Sequence, residues 1–103
     1  MSGNNRIYLS GKITGTSDYM QRFEEAAQSL RATYEDIEVI NPALVCQSLP
    51  ESFKHEEYMR VCLSLLGLCD AIYLLKGWEN SKGARIEAEV AYSLNMDIMH
   101  EED

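Results

Sequence analysis

The stretch Ser81-Lys82-Gly83-Ala84-Arg85-Ile86-Glu87-Ala88-Glu89-Val90-Ala91 decides how the rest of the chain is read. Laid on a helix of 3.6 residues per turn, Ala84, Glu87, Ala91 and Leu94 fall on one stripe, with Val90 beside it. Glu89 lies about 200° from Glu87 at ~100° per residue, on the outer face, where Arg85 is spaced i,i+4 for an ion pair. One glutamate therefore faces an apolar interior. A carboxylate there costs free energy unless it is partnered or does chemistry. Two explanations stay open on helix phase alone: a glutamate that snorkels or pairs with a nearby lysine, and a functional one.

Outward from this helix, short apolar runs alternate with longer helical patterns. Residues 7–9 read as a strand that ends at Ser10-Gly11. Residues 18–34 read as a helix, capped by Ser17 or Thr16, with Met20, Phe23, Ala27 and Leu30 on one face. Residues 37–40 form a second strand, stopped by Asn41-Pro42. Residues 43–51 read as loop or a short turn of helix. Residues 52–68 read as a helix with Tyr58, Cys62, Leu65 and Leu66 inward. Residues 70–75 form a third strand and 77–80 a loop. The helix of the opening stretch, capped by Ser81 or Asn80, ends near Asn95, and residues 97–99 make a last short strand before an acidic tail.

Strand and helix in strict alternation predict an α/β domain. The expectation is a flavodoxin-like open parallel sheet, about four strands in order 2-1-3-4, with right-handed crossovers placing helices on both faces. The chain of 103 residues fits a single domain with a core over about 6–99. In such sheets ligands bind beyond the carboxyl ends of the strands, where the order reverses. The segments there are Ser10-Gly11-Lys12-Ile13-Thr14-Gly15, Asn41-Pro42-Ala43 and residues 76–83. The start of the last helix points into the same crevice, and its free N–H groups favour an anion.

Composition narrows the classes of function. A net charge of -8 disfavours a nucleic acid polymer or an anionic membrane as partner. Cys46, Cys62 and Cys69 are odd in number and form no C-x-x-C, which suits buried free thiols in a reducing compartment rather than a disulfide framework or a zinc site. His55 and His100 are isolated, so no metal is expected. No run of about 18 apolar residues occurs, and the first residues do not resemble a signal peptide, so a cytoplasmic location is expected. The modest core favours self-association.

The first loop is glycine-bearing and suited to phosphate, but it has neither the Walker spacing nor G-x-G-x-x-G. Taken alone, the loop is better explained as a simple strand-to-helix turn. Tyr8 stands next to the end of the first strand, where its hydroxyl needs a partner and a carboxylate would serve. Trp78 either shields a ligand or covers the core. No Gly-x-Ser-x-Gly elbow occurs, and no histidine neighbours a cysteine in sequence. A single glutamate can still act as nucleophile at an anomeric carbon, stabilising an oxocarbenium-like transition state and forming a covalent glycosyl intermediate.

Three phrases carry a family resemblance: Ile7-Tyr8-Leu9-Ser10-Gly11, Cys69-Asp70-Ala71-Ile72-Tyr73, and Gly83-Ala84-Arg85-Ile86-Glu87-Ala88-Glu89-Val90-Ala91. Together they resemble the nucleoside 2-deoxyribosyltransferase superfamily, which includes the 2'-deoxynucleoside 5'-phosphate N-hydrolases. Ser10-Gly11-Lys12-Ile13-Thr14-Gly15, Asn41-Pro42-Ala43 and Gly77-Trp78-Glu79-Asn80-Ser81-Lys82-Gly83-Ala84 are similar to a branch of small bacterial and phage proteins within it. The resemblance implies Glu87 as nucleophile and Tyr8 as the residue that positions it. It implies Ser81 as a 5'-phosphate ligand, and Ser10, Gly11 and Ile13 as the loop around the sugar. Lys12, Asn41, Trp78 and Gly83 complete the expected substrate-binding set. Asp70 would be structural. No cofactor is implied, and the substrate would be a nucleoside or nucleotide handled by a homo-oligomer. One departure stands out. The family's aspartate eight residues before the position of Asp70, which acts on the leaving base, is Cys62 here, and a thiol replaces a carboxyl poorly in that role. The family's glycine two residues after the nucleophile is Glu89. The expected activity is cleavage of an N-glycosidic bond, with a non-catalytic nucleotide or nucleotide-sugar binding module as the alternative.

Overall fold

The computed structural model describes residues 5–13 and 15–101. Strand β1 (Arg6–Ser10) leads to helix α1 (Tyr19–Thr33) and strand β2 (Glu38–Ile40). Two helices follow, α2 (Pro42–Gln47) and α3 (His55–Leu66), then strand β3 (Ala71–Leu74). A single 3-10 turn (Trp78–Asn80) precedes helix α4 (Lys82–Ser93) and strand β4 (Asp97–His100). The four strands form one parallel sheet in the order β2-β1-β3-β4, as expected. Tyr8 of β1 lies opposite Ile40 on one side and Ile72 on the other.

The pleat sorts the strand residues onto two faces, because successive side chains point to opposite sides. Ile7, Leu9, Ala71 and Leu75 pack with Phe23, Ala26, Ala27 and Leu30 of α1. Tyr8, Ile72 and Leu74 pack on the other side with Cys62 and Leu66 of α3 and Ala91 of α4. Helices thus cover both faces, which is why the central strands read as continuous apolar runs rather than alternating ones. Asp70 serves the frame: its Oδ2 accepts from the Arg6 backbone N–H at 2.9 Å, tying the start of β1 to the segment before β3. Among the described residues no helix is long and apolar enough to cross a membrane.

Several local expectations are corrected. The N-cap of α1 is Asp18, not Ser17 or Thr16. Thr16 closes the preceding turn instead, its Oγ1 donating to the Ile13 carbonyl at 2.9 Å. Of the two readings of residues 43–51 the structure shows the short helix, α2, because Pro42 fits the first turn and the Asn41 side chain accepts from the Ala43 N–H at 3.0 Å. Helix α3 starts three residues later than expected. A turn in which the Phe53 N–H donates to the Pro50 carbonyl holds the chain out of helix, and Lys54 is extended. The Lys54 N–H then donates to the Glu57 carboxylate at 2.8 Å, fixing the first turn. On α4, Leu94 lies past the last helical residue and is 54% exposed, so it leaves the apolar stripe. Arg85 does not bond Glu89; its guanidinium donates to the Glu79 carbonyl at 2.7 Å.

Candidate functional site

Tyr8 and Ser10 are two residues apart on β1 and therefore share a face, the one that α4 covers. Helix α4 begins at Ser81, whose hydroxyl accepts from the Ala84 N–H at 3.1 Å. From that start, Ala84, Glu87 and Ala91 turn inward, and all three are buried. Glu87 meets the end of β1 from above. The Tyr8 hydroxyl donates to one carboxylate oxygen at 2.6 Å and the Ser10 hydroxyl to the other at 2.7 Å. Both distances are in the range of charge-assisted bonds. The inward glutamate is 7% exposed and fully partnered.

Burial pushes the Glu87 carboxyl above its ordinary range, and the bonds from Ser10 and Tyr8 pull it partly back. Burial also raises Tyr8, and the adjacent Glu87 charge raises it further. Tyr8 thus remains a phenol that donates. The carboxylate is stripped of most of its water, yet both of its oxygens are oriented by donors. Such a group can act on an electrophile that enters the adjoining space, or hold a hydroxyl or a cation there.

A cavity of about 270 Å³ opens beside this cluster, just below the roughly 300–1,000 Å³ usual for small-molecule sites. Tyr8, Gly11, Ile13, Ser81, Gly83 and Glu87 of the expected set line it. Ser10 reaches it through its bond to Glu87. Gly83 stands where α4 comes close to α3: a Cβ there would lie 3.1 Å from the Met59 sulfur and 3.8 Å from the His55 ring.

Three expected residues stand elsewhere. Lys12 presents its backbone carbonyl to the Arg22 guanidinium at 2.7 Å, and its side chain does not line the cavity. Asn41 is buried, but its side chain is taken by the α2 cap. Trp78 is carried by the 3-10 turn away from the crevice, its ring centroid 6.2 Å from that of His100. It packs against the core cluster below, so of its two possible uses the structure shows the core cover. Thr14 lies outside the described residues.

The cavity also has a wall that the expected substrate-binding set does not include. His55, Tyr58, Met59 and Cys62 of α3 and Pro42 and Cys46 of α2 line it. His55 continues the Tyr58 and Cys62 stripe by one turn, so helical phase could have found it. Cys46 carries no such signal, because its short segment has no clear helical period. Among the described lining residues Glu87 is the only carboxylate and there is no lysine or arginine. An anionic group entering the cavity would meet the free N–H groups at the start of α4, and His55.

A family model described as a domain of unknown function, DUF4406, matches residues 5–100. No curated protein matches the chain.

Proposed function

The chain belongs to this family, DUF4406, and from its site we propose that it cleaves the N-glycosidic bond of a nucleoside or deoxynucleotide. Glu87 attacks C1' of the sugar, the bond to the base breaks with its electron pair leaving on the base nitrogen, and a glycosyl ester forms on the carboxylate. Water, or a second base, then takes the sugar and frees Glu87. Tyr8 and Ser10 hold the carboxylate in line and share the charge that returns to it when the ester breaks. Ser81 and the N–H groups of the first turn of α4 receive a 5'-phosphate where the substrate has one. The observation that carries this reading is the carboxylate with both oxygens held by hydroxyl donors at 2.6 and 2.7 Å, facing a cavity of sugar dimensions. It is also supported by the resemblance, which puts a nucleophile and its positioning tyrosine at these two positions. No cofactor enters the reaction, and a nucleic acid polymer is not its substrate.

The test is release of free base from a panel of deoxynucleosides and their 5'-monophosphates, with the wild type beside Glu87→Ala. Release that depends on Glu87 is expected. No release from any member, or equal release by both proteins, overturns the proposal.

One observation favours a second reading, a binding module without turnover. Glu87 is the only lining carboxylate among the described residues, and a thiol, Cys62, stands where the resemblance expects the acid that serves the leaving base. Calorimetry separates the two: saturable nucleotide binding with no base release is the outcome for the module.

A further inference from the structure

We propose that Cys46 and Cys62 form a redox-active dithiol in the wall of the cavity, which a hydroperoxide oxidises to a disulfide joining α2 to α3. Both side chains line the cavity, Cys46 from the last turn of α2 and Cys62 from the middle of α3. Cys46 packs directly on the cluster that holds Cys62 and Tyr8. The proposed glycosidic chemistry uses neither thiol. Both are free, Cys62 buried and Cys46 partly open, an arrangement with one accessible sulfur and one sheltered partner.

The two sulfurs are also unlike in acidity. Interaction with the neighbouring Cys62 thiol brings the Cys46 thiol down to about 7, against burial and the Glu87 charge, which both raise it. The same interaction, together with burial, pushes Cys62 up. The groups sharing this space are Tyr8 of β1, Glu87 of α4, His55 and Tyr58 of α3, and Tyr19 of α1. Cys46, the more open of the two, is therefore the attacking thiolate, and the sheltered Cys62 is the partner that keeps its proton until needed. Cys69 is an internal control. It lies outside the cavity, its thiol donates to the Leu65 carbonyl at 3.4 Å, and burial pushes it up to about 11.

The chemistry balances. The Cys46 thiolate attacks one peroxide oxygen, the O–O bond breaks, and the alkoxide or hydroxide that leaves takes up a proton. Cys46 is then a sulfenic acid. The Cys62 sulfur attacks the Cys46 sulfur, the S–O bond breaks, and the oxygen departs as water with the Cys62 proton. The two thiols lose two electrons and two protons, and the hydroperoxide is reduced to alcohol, or water, plus water.

The experiment treats the native protein with hydrogen peroxide, blocks the remaining thiols and maps the peptides by mass. The expected product is a Cys46–Cys62 peptide pair lighter by two hydrogens and separated by dithiothreitol, with Cys69 recovered as the blocked thiol. Before oxidation, Cys46 is expected to alkylate roughly tenfold or more faster than Cys69 at neutral pH. In Cys62→Ala, a sulfenic acid on Cys46 is expected to be captured by a 1,3-dione. Recovery of Cys46 and Cys62 as separately blocked thiols, a bridge through Cys69, or sulfinic acid in place of the bridge would overturn the proposal. Absence of the dione adduct would overturn Cys46 as the attacking sulfur. None of these readouts depends on base release, so failure here and failure of the glycosidic reading are distinguishable.

Discussion

Glu87 is held from two sides by hydroxyls of one strand, and the two are not equivalent. Ser10 is a small side chain, whereas the large Tyr8 ring is locked in the core, so its bond fixes the direction of the carboxylate. Tyr8→Phe keeps the packing and removes that donor. Its expected effect is a fall in base release of roughly 10–100-fold, the usual cost of losing an orienting partner, checked by steady-state kinetics. Burial of Glu87 also has a signature in stability. Its folded-state pKa is raised, so the folded state holds this proton more tightly than the unfolded chain does. The contribution is full below the unfolded value near 4.5 and is lost as pH rises through the folded value. Wild type is therefore expected to lose stability relative to Glu87→Gln as pH climbs from below 4.5 toward neutrality, read as the difference in Tm across a pH series. A gap that stays flat across the series would mean that burial exacts no ionisation cost. That this glutamate faces inward was legible from helical phase alone, and Tyr8 announced itself as a phenol in need of a carboxylate. Ser10 as the second donor was not legible, because it required knowing that α4 covers the same face of β1. Asn41 misled for a related reason: a polar residue at a strand end serves a helix cap as readily as a ligand.

Helix α4 turns a local sequence signal into a positioned nucleophile. Its start at Ser81 sets the phase of everything after it, so the cap and the site are coupled. Ser81→Ala removes the side-chain acceptor for the Ala84 N–H and is expected to cost about 1 kcal/mol of stability, measured by urea titration. Gly83 is the second constraint. A methyl group there would come within 3.1 Å of the Met59 sulfur, and the methionine end can give way. Gly83→Ala is thus expected to leave the fold in place while changing the wall of the cavity, so KM shifts more than Tm. Most strands and helices were legible because their periods differ so plainly. The start of α3 was not, because the pattern carries the helix back to Ser52 and only the turn closed by Phe53 and Pro50 shows why it begins later. Trp78 eluded the sequence for the same kind of reason: a loop gives no phase, and the 3-10 turn after Gly77, held at φ 84°, decides which way the ring faces.

At the scale of the molecule, the parallel order was legible because only a right-handed crossover packs each helix back on its sheet. The crevice follows from that order, because the connections leaving the carboxyl ends of the neighbouring strands β1 and β3 run to opposite faces of the sheet. What sequence alone left open was which of the crevice loops face the cavity, since that depends on how α2 and α3 close it. Large apolar side chains stay outside this frame. Tyr92 is 77% exposed and Leu94 follows it at the end of α4, in keeping with the proposed homo-oligomer. Sedimentation is expected to give the mass of a dimer or larger, and a strictly monomeric mass across micromolar concentrations would remove that part of the proposal. The chemistry itself is tested most directly by mass spectrometry of the acid-quenched protein during turnover of a deoxynucleoside. A deoxyribosyl ester on the peptide containing Glu87, absent from Glu87→Gln, is the expected result. Sugar carried by any other residue, or turnover undiminished in Glu87→Gln, would contradict it.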